Sequence, residues 1–205
     1  MDSNNKLPVI KAALGDQWEQ LGDVVKRHYE MTPGESTEML IEGVMDEVYH
    51  SLFAKLFLLP GRIFGALVPY RGKSIATEVK NWTTTENDQA MFWHRTLHFP
   101  GKGDVIFRSR MEHVDSDEII EYVKYGMGIR MQMSVEDSAL VFKSLGYLWQ
   151  LGFIKLPIPS WLILGDARII ERPVSEKGFY IEFTMDHPIF GRTFSYNGKF
   201  SIVEK

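Results

Sequence analysis

Hydrophobic and polar residues alternate one for one along most of this chain. The plainest stretch is 127–136, where Met127, Ile129, Met131, Met133 and Val135 are separated by Gly128, Arg130, Gln132 and Ser134. That period of two marks a strand with one buried face. Comparable alternation runs through residues 74–84, 90–99, 104–114, 118–125, 138–148, 167–172, 179–185 and 189–203. Turn-forming groups separate these segments: Glu86-Asn87-Asp88, Pro100-Gly101-Lys102-Gly103, Asp115-Ser116-Asp117, Glu136-Asp137 and Ser175-Glu176-Lys177-Gly178. Parallel strands need crossovers of about a dozen residues or more, so loops this short predict antiparallel pairing. The pattern predicts an α+β, mainly β fold: an antiparallel meander forming a strongly curved sheet or barrel of about eight to ten strands. One domain is expected over residues 1–205, with residues 1–13 as a loose N-terminal extension.

The first third of the chain reads differently. Leu14, Trp18, Leu21 and Val25 recur at helical spacing after Gly15-Asp16, which predicts a short amphipathic helix. A strand is expected over 37–46, where Met39, Ile41 and Met45 face away from Glu42 and Asp46. A second helix is expected over 48–58, with Val48, Leu52, Leu56 and Leu59 as its stripe and Pro60-Gly61 as its end. Phe53 and Phe57 make its other side apolar too, as in a helix that is buried all round or inserted. These helices would pack on one face of the sheet or over an opening.

Residues 145–164, LGYLWQLGFIKLPIPSWLIL, carry one charge, Lys155, over a length that could cross a bilayer. Pro157 and Pro159 rule out a continuous helix, because each removes a donor and pushes the residue before it toward extended backbone. The segment must find another apolar setting: the core, a ligand, a partner or a membrane surface. Residues 145–154 are expected to continue a strand, and 157–164 to form a loop with a helical turn at Pro159-Ser160-Trp161.

Charge and composition narrow the partners. Over 205 residues the formal net charge is -4, which leaves no basic excess for nucleic acid. Cysteine is absent, which removes disulfides, thiolate nucleophiles and cysteine-based metal sites. The start of the sequence shows neither the basic region nor the apolar run of a signal peptide, so a cytoplasmic location is expected. Asn81-Trp82-Thr83 fits the glycosylation sequon and is read as an accident of composition. Tyr70-Arg71-Gly72-Lys73-Ser74 lacks the first glycine of a phosphate-binding loop, and no glycine-rich dinucleotide motif follows a strand, so no cofactor is expected.

Several short blocks occur in a telling order: Trp93-His94-Arg95, Phe107-Arg108-Ser109, Gly128-Ile129, Leu156-Pro157-Ile158-Pro159, Asp186-His187-Pro188 with Gly191, and Tyr196-Asn197-Gly198. Together they resemble the domain of unknown function 4166 family over most of the chain, from about Leu14-Gly15. In that family the domain stands alone or follows reductases similar to saccharopine dehydrogenase, so the resemblance implies a reductase as a partner. It assigns no catalytic residue.

No metal site is expected. His94 and His98 would lie about 13 Å apart on one strand face. His113 and His187 read as turn residues, with Asp186 the local acceptor for His187. The more informative group is Trp93, Arg95, Ser109 and Glu112 on two strands joined at 100–103. An arginine sharing a buried face with Trp93 and Leu97 needs an acidic partner, for which Glu112, Glu121 and Glu171 are the candidates. The expected function is a noncatalytic binding module for an apolar or amphipathic, lipid-like molecule. Trp93, Arg95, Ser109, Glu112, Met131, Trp149, Trp161 and Tyr196 are its expected ligand-binding residues, with Arg95 receiving a carboxylate or phosphate. The segment 145–164 and the helix at 52–59 would form the mouth. Two alternatives stand beside it: an enzyme or substrate-presenting domain using Glu112, His113 or Tyr196 as acid or base, and a protein-interaction or peripheral membrane domain docking through 145–164.

Overall fold

Each alternating segment forms a strand, and the strands curl into a closed barrel. The computed structural model of the protein describes residues 6–58, 68–87 and 89–204. The strands are β1 (Glu38–His50), β2 (Gly72–Trp82), β3 (Ala90–Phe99), β4 (Gly103–Asp115), β5 (Glu118–Tyr122), β6 (Met127–Glu136), β7 (Ala139–Leu151), β8 (Ile154–Ile158), β9 (Asp166–Pro173), β10 (Gly178–His187) and β11 (Gly191–Val203). They pair in the order β6-β5-β4-β3-β2-β1-β11-β10-β9-β7, and β6 pairs with β7 to close a ring of ten. Neighbours run antiparallel all round, as the short loops require.

The strand β8 stands outside the ring. Residues 140–143 of β7 pair with β9, whereas residues 147–151 pair with β8. The β7–β8 hairpin thus rises above the point where β9 leaves the ring. Pro157 is tolerated in β8 because an edge strand leaves one row of donors unpaired. The chain then makes the expected helical turn, at Ser160–Leu162, and folds back over the same end of the barrel.

Two expectations about helices need correction. The N-terminal stripe is buried as expected, but it belongs to three pieces: α1 (Val9–Leu14), a tight 3₁₀ turn (Gly15–Gln20) and α2 (Asp23–Tyr29). Gly15, at φ +53°, stops α1. Val9 and Ile10 are buried, so residues 9–13 are no loose extension. The pieces plug the barrel end that carries the β6–β7 turn, where the Gly22 amide donates to the Ser138 carbonyl at 3.1 Å and the Val135 amide donates to Gln17 Oε1 at 3.1 Å.

The helix expected over 48–58 is mostly something else. β1 runs on to His50, with a register shift between Met45 and Glu47 that keeps Met45 and Val48 both inside although they are three apart. A bulge in a strand has imitated helical spacing. Helical backbone is confined to 55–58 in the described part, and Leu59 with Pro60-Gly61 lies outside the described residues.

The outer wall carries paired charges along its strands: Lys80 with Glu38, Arg130 with Glu118, Arg168 and Lys143 with Glu136, Arg172 with Glu182. A membrane-spanning barrel turns an apolar band outward; this one turns its apolar side chains inward. Among the described residues no helix is long and apolar enough to cross a membrane. The sequon residues Asn81 and Thr83 are buried.

Gly165 closes the loop after Ser160–Leu162, at φ +93°, with its α-carbon pressed against the backbone of Asp186 and His187. A β-carbon would collide with the Asp186 carbonyl. Gly165→Ala is expected to cost on the order of 1–3 kcal/mol in urea unfolding, from strain and displacement of this loop.

Candidate functional site

The lumen is layered from the plugged end upward. At the bottom, α2 delivers His28 and Tyr29 to Glu171 of β9. His28 Nδ1 lies 2.7 Å from Glu171 Oε1, and the Tyr29 hydroxyl donates to Oε2 at 2.9 Å. Asn81 Nδ2 donates to His28 Nε2 at 2.9 Å, which leaves Nδ1–H to donate to the glutamate. The His28 ring stacks on Phe179 with centroids 4.8 Å apart and meets the edge of Trp93 at 5.4 Å. This layer satisfies a buried carboxylate while filling space with rings.

Above it lies Arg95. Its Nη1 donates to Glu121 Oε1 and to Ser109 Oγ, both at 3.0 Å, and the Ser109 hydroxyl donates to the same carboxylate oxygen at 2.6 Å. The guanidinium carbon sits 4.2 Å from the Trp93 ring centroid and 4.9 Å from that of Phe107. Three neighbouring strands supply the group, because Trp93 pairs with Ser109 across β3 and β4, and Met111 with Glu121 across β4 and β5. Of the three acidic partners open to Arg95, Glu121 is the one used.

Over this floor is a cavity of about 200 Å³. Arg95, Glu121 and Tyr196 are polar groups at its wall; Met45, Leu97, Phe107, Met131, Phe183 and Met185 are apolar ones, as are Val68, Val123, Ile163 and Leu164. A second pocket of about 20 Å³ lies among His28, Trp93, Arg95 and Tyr196. The roof is tied down by polar contacts. Thr193 Oγ1 donates to the Leu164 carbonyl at 2.5 Å, Tyr147 to the Gly165 carbonyl at 3.1 Å, and His187 Nε2 to the Trp161 carbonyl at 2.7 Å.

His187 is not the exposed turn residue expected. It is buried, and its Nδ1 accepts from the amides of Ile189 and Phe190 at 3.1 and 3.3 Å. Asp186 pairs instead with Arg192. His113 also lies on a strand, near the end of β4, but it is exposed, with its ring against the Ser116 carbonyl of the following turn.

A family model described as Domain of unknown function (DUF4166) matches residues 21–200. The chain belongs to this family. No curated protein and no solved structure matches it.

Within this DUF4166 barrel, Trp93, Arg95, Ser109, Met131 and Tyr196 all point into the lumen; Arg95, Met131 and Tyr196 line the large cavity, and Trp93 the small one. Glu112 falls on the opposite strand face from Ser109 and Met111, where it pairs with Arg110 at 2.7 Å outside the barrel. Trp149 and Trp161 sit at the rim with exposed rings and line neither cavity. Of the acid-base set Glu112, His113 and Tyr196, the cavity holds Tyr196. The sequence reading missed His28 altogether; its signal was a histidine on the buried stripe, at i+3 from Val25. Tyr147, Ile163 and Leu164 fall in the segment 145–164 expected at the mouth, but were not singled out as lining residues, since a loop's fold-back leaves no periodicity. Among the described residues no group of histidine, aspartate and glutamate could hold a metal.

Burial pushes the Tyr196 hydroxyl up to about 12, with the Arg95 charge pulling it back. Burial also raises Tyr147, and burial with the Glu171 carboxylate raises Tyr29. Groups raised in the fold contribute stability fully below their ordinary pKa and lose it above. The stability these tyrosines contribute is therefore expected to be level below about pH 10 and to fall between there and about 12. Alkaline difference spectra should show these tyrosines ionising only with unfolding. Removing one member of the floor pair should be costly in a different way. Arg95→Met is expected to lose about 3–5 kcal/mol by stranding Glu121, and Arg95→Met with Glu121→Met should recover most of that in chemical denaturation.

Proposed function

We propose that the barrel is a noncatalytic binding module whose cavity holds a neutral amphiphile: an apolar body with a hydroxyl, carbonyl or amide at one end. The observation that carries this reading is the closed Arg95–Ser109–Glu121 group on the floor of an otherwise apolar cavity. A carboxylate or phosphate head would gain Arg95 only by crowding Glu121, and like charges in a low-dielectric site repel strongly. A neutral head can donate to the carboxylate and accept from the guanidinium without disturbing the pair. Trp93 Nε1 adds a buried donor with no partner among the described residues, beside the small pocket that shares Met45, Arg95 and Tyr196 with the large one.

Size also limits the ligand. A cavity of about 150 Å³ can take benzene, so about 200 Å³ suits a ring system or a medium-length chain. The wall is rich in methionine, at Met45, Met127, Met131 and Met185, whose flexible thioethers adapt to irregular apolar shapes. A reductase acting on the same compound fits the family's associations and belongs to this proposal.

The test is displacement of an environment-sensitive dye by octanol, octanamide and octanoate. The neutral pair should bind at least tenfold more tightly than the acid. Ile163→Trp, which fills the roof of the cavity, should abolish displacement while leaving the circular dichroism spectrum unchanged. Equal or tighter binding of octanoate contradicts the neutral floor, and displacement surviving Ile163→Trp contradicts the cavity as the site.

A further inference from the structure

The two ends of the barrel differ in charge as sharply as in covering. At the plugged end, the turns and flanks carry Glu35, Glu86, Asp117, Asp137, Glu176 and Glu204, offset in part by Lys177 and by Arg27 of α2, which both pair with Glu204. At the opposite end, the described connections are 51–58, 68–71, 100–102, 123–126, 152–153, 159–165 and 188–190. They contain Lys55, Arg71, Lys102 and Lys124, with Lys155 one residue into β8, and no aspartate or glutamate. Asp104, Asp166 and Asp186 stand just behind them on the strands; Asp104 faces His98 and Asp186 pairs with Arg192. A protein of net charge -4 thus presents one basic end.

The same end carries the most exposed large apolar side chains among the described residues. Phe153 is 97% exposed at the tip of the β7–β8 hairpin, Ile189 77%, Leu52 74% and Trp161 57%. They stand on separate connections, with smaller ring contacts between two of these loops. Phe53 stacks on Phe190 with centroids 3.9 Å apart and meets the His187 ring at 5.1 Å, and His187 is bonded to the Trp161 carbonyl. Trp161 lies in the same loop as Ile163 and Leu164, which line the cavity.

We propose that this end docks on an anionic lipid surface, with the apolar tips entering the interface and the lysines meeting the headgroups. Isolated apolar side chains on separate loop tips, set among lysines, suit a soft interface more than a shaped protein groove, because each tip inserts alone and keeps its cationic neighbour wet. Trp161 has the amphipathic ring that favours such depth. Juxtamembrane lysines attract acidic headgroups by local charge even when the net charge of the protein is negative. The charged outer wall keeps the rest of the barrel in water. Docking stands independently of the cavity's content, and it would set the roof against the phase in which apolar compounds are dissolved.

The experiment is co-sedimentation of the full chain with phosphatidylcholine vesicles made with and without phosphatidylserine. The protein should pellet with the acidic vesicles far more than with the neutral ones, and added salt should release it. Phe153→Ser with Trp161→Ser should abolish pelleting, and Lys55→Gln, Lys124→Gln and Lys155→Gln should weaken it about fivefold each, or roughly a hundredfold together. All five side chains are exposed, and matched melting curves would show that the variants fold. Failure of the intact protein to pellet with acidic vesicles, or pelleting unaffected by the tip variant, overturns the proposal. So does a dimer in sedimentation velocity without lipid that the tip variant dissolves, which would assign the rim to a second copy of the chain.

Discussion

A lumen ten strands around is wider than the side chains of its own wall can fill. Eight strands give a barrel just wide enough for side-chain packing, and diameter grows about linearly with strand number. Closure through β6 and β7 therefore creates a space that something else must occupy. The N-terminal helices occupy its lower half, a polar layer crosses its middle, and the upper half remains a cavity under a folded-back loop. Each functional feature follows from how that excess width is used.

The polar layers explain why the filling is specific. Glu171 and Glu121 are both inside the barrel, and an isolated buried carboxylate would cost several kcal/mol. Glu171 binds the plug through His28 and Tyr29, so the helices are held by directed bonds as well as by apolar contact. Glu121 does the same for Arg95 and Ser109, and the flat guanidinium, lying against Trp93, gives the cavity a rigid floor. The floor pairs one cation with one anion, so the arginine expected to capture an anionic ligand is already bonded to a carboxylate of the wall.

Most of this barrel could be read from alternation alone, because a strand with one face in the lumen and one in water writes burial directly into sequence. The ring strands from Gly72 to Val203 fall within a few residues of the expected ranges, whereas the turn at 152–153 and the outside strand β8 interrupt what was expected to be one strand over 145–154 followed by a loop. The reading failed where the period was disturbed for a structural reason. In β1 the bulge after Met45 brought Val48 inside three residues later and passed for a helix. At Gly15 a left-handed residue split one expected helix. The site was half legible: Trp93, Arg95, Ser109, Met131 and Tyr196 share the inner face that alternation assigns. Choosing Glu121 over Glu171 and Glu112 needed the register, since Glu112 differs from Ser109 in facing the other way. His28 could not be placed, and within the mouth segment 145–164 the residues that line the cavity could not be picked out, because long-range fold-back leaves no local pattern. The apolar run at 145–164 does mark Trp149 and Trp161 as unusual, but it cannot separate lining a cavity from standing at its rim.

The central claim is that the upper lumen is a ligand site, and methionine methyl resonances report on it most directly. Met45, Met127, Met131 and Met185 line the cavity, whereas Met31, Met39, Met91, Met111 and Met133 do not. With methyl-labelled methionine and a neutral medium-chain amphiphile, occupation of the cavity predicts saturable shifts in the first four resonances and little change in the others. Shifts confined to the second group, or no saturable shift from any neutral amphiphile, would contradict it.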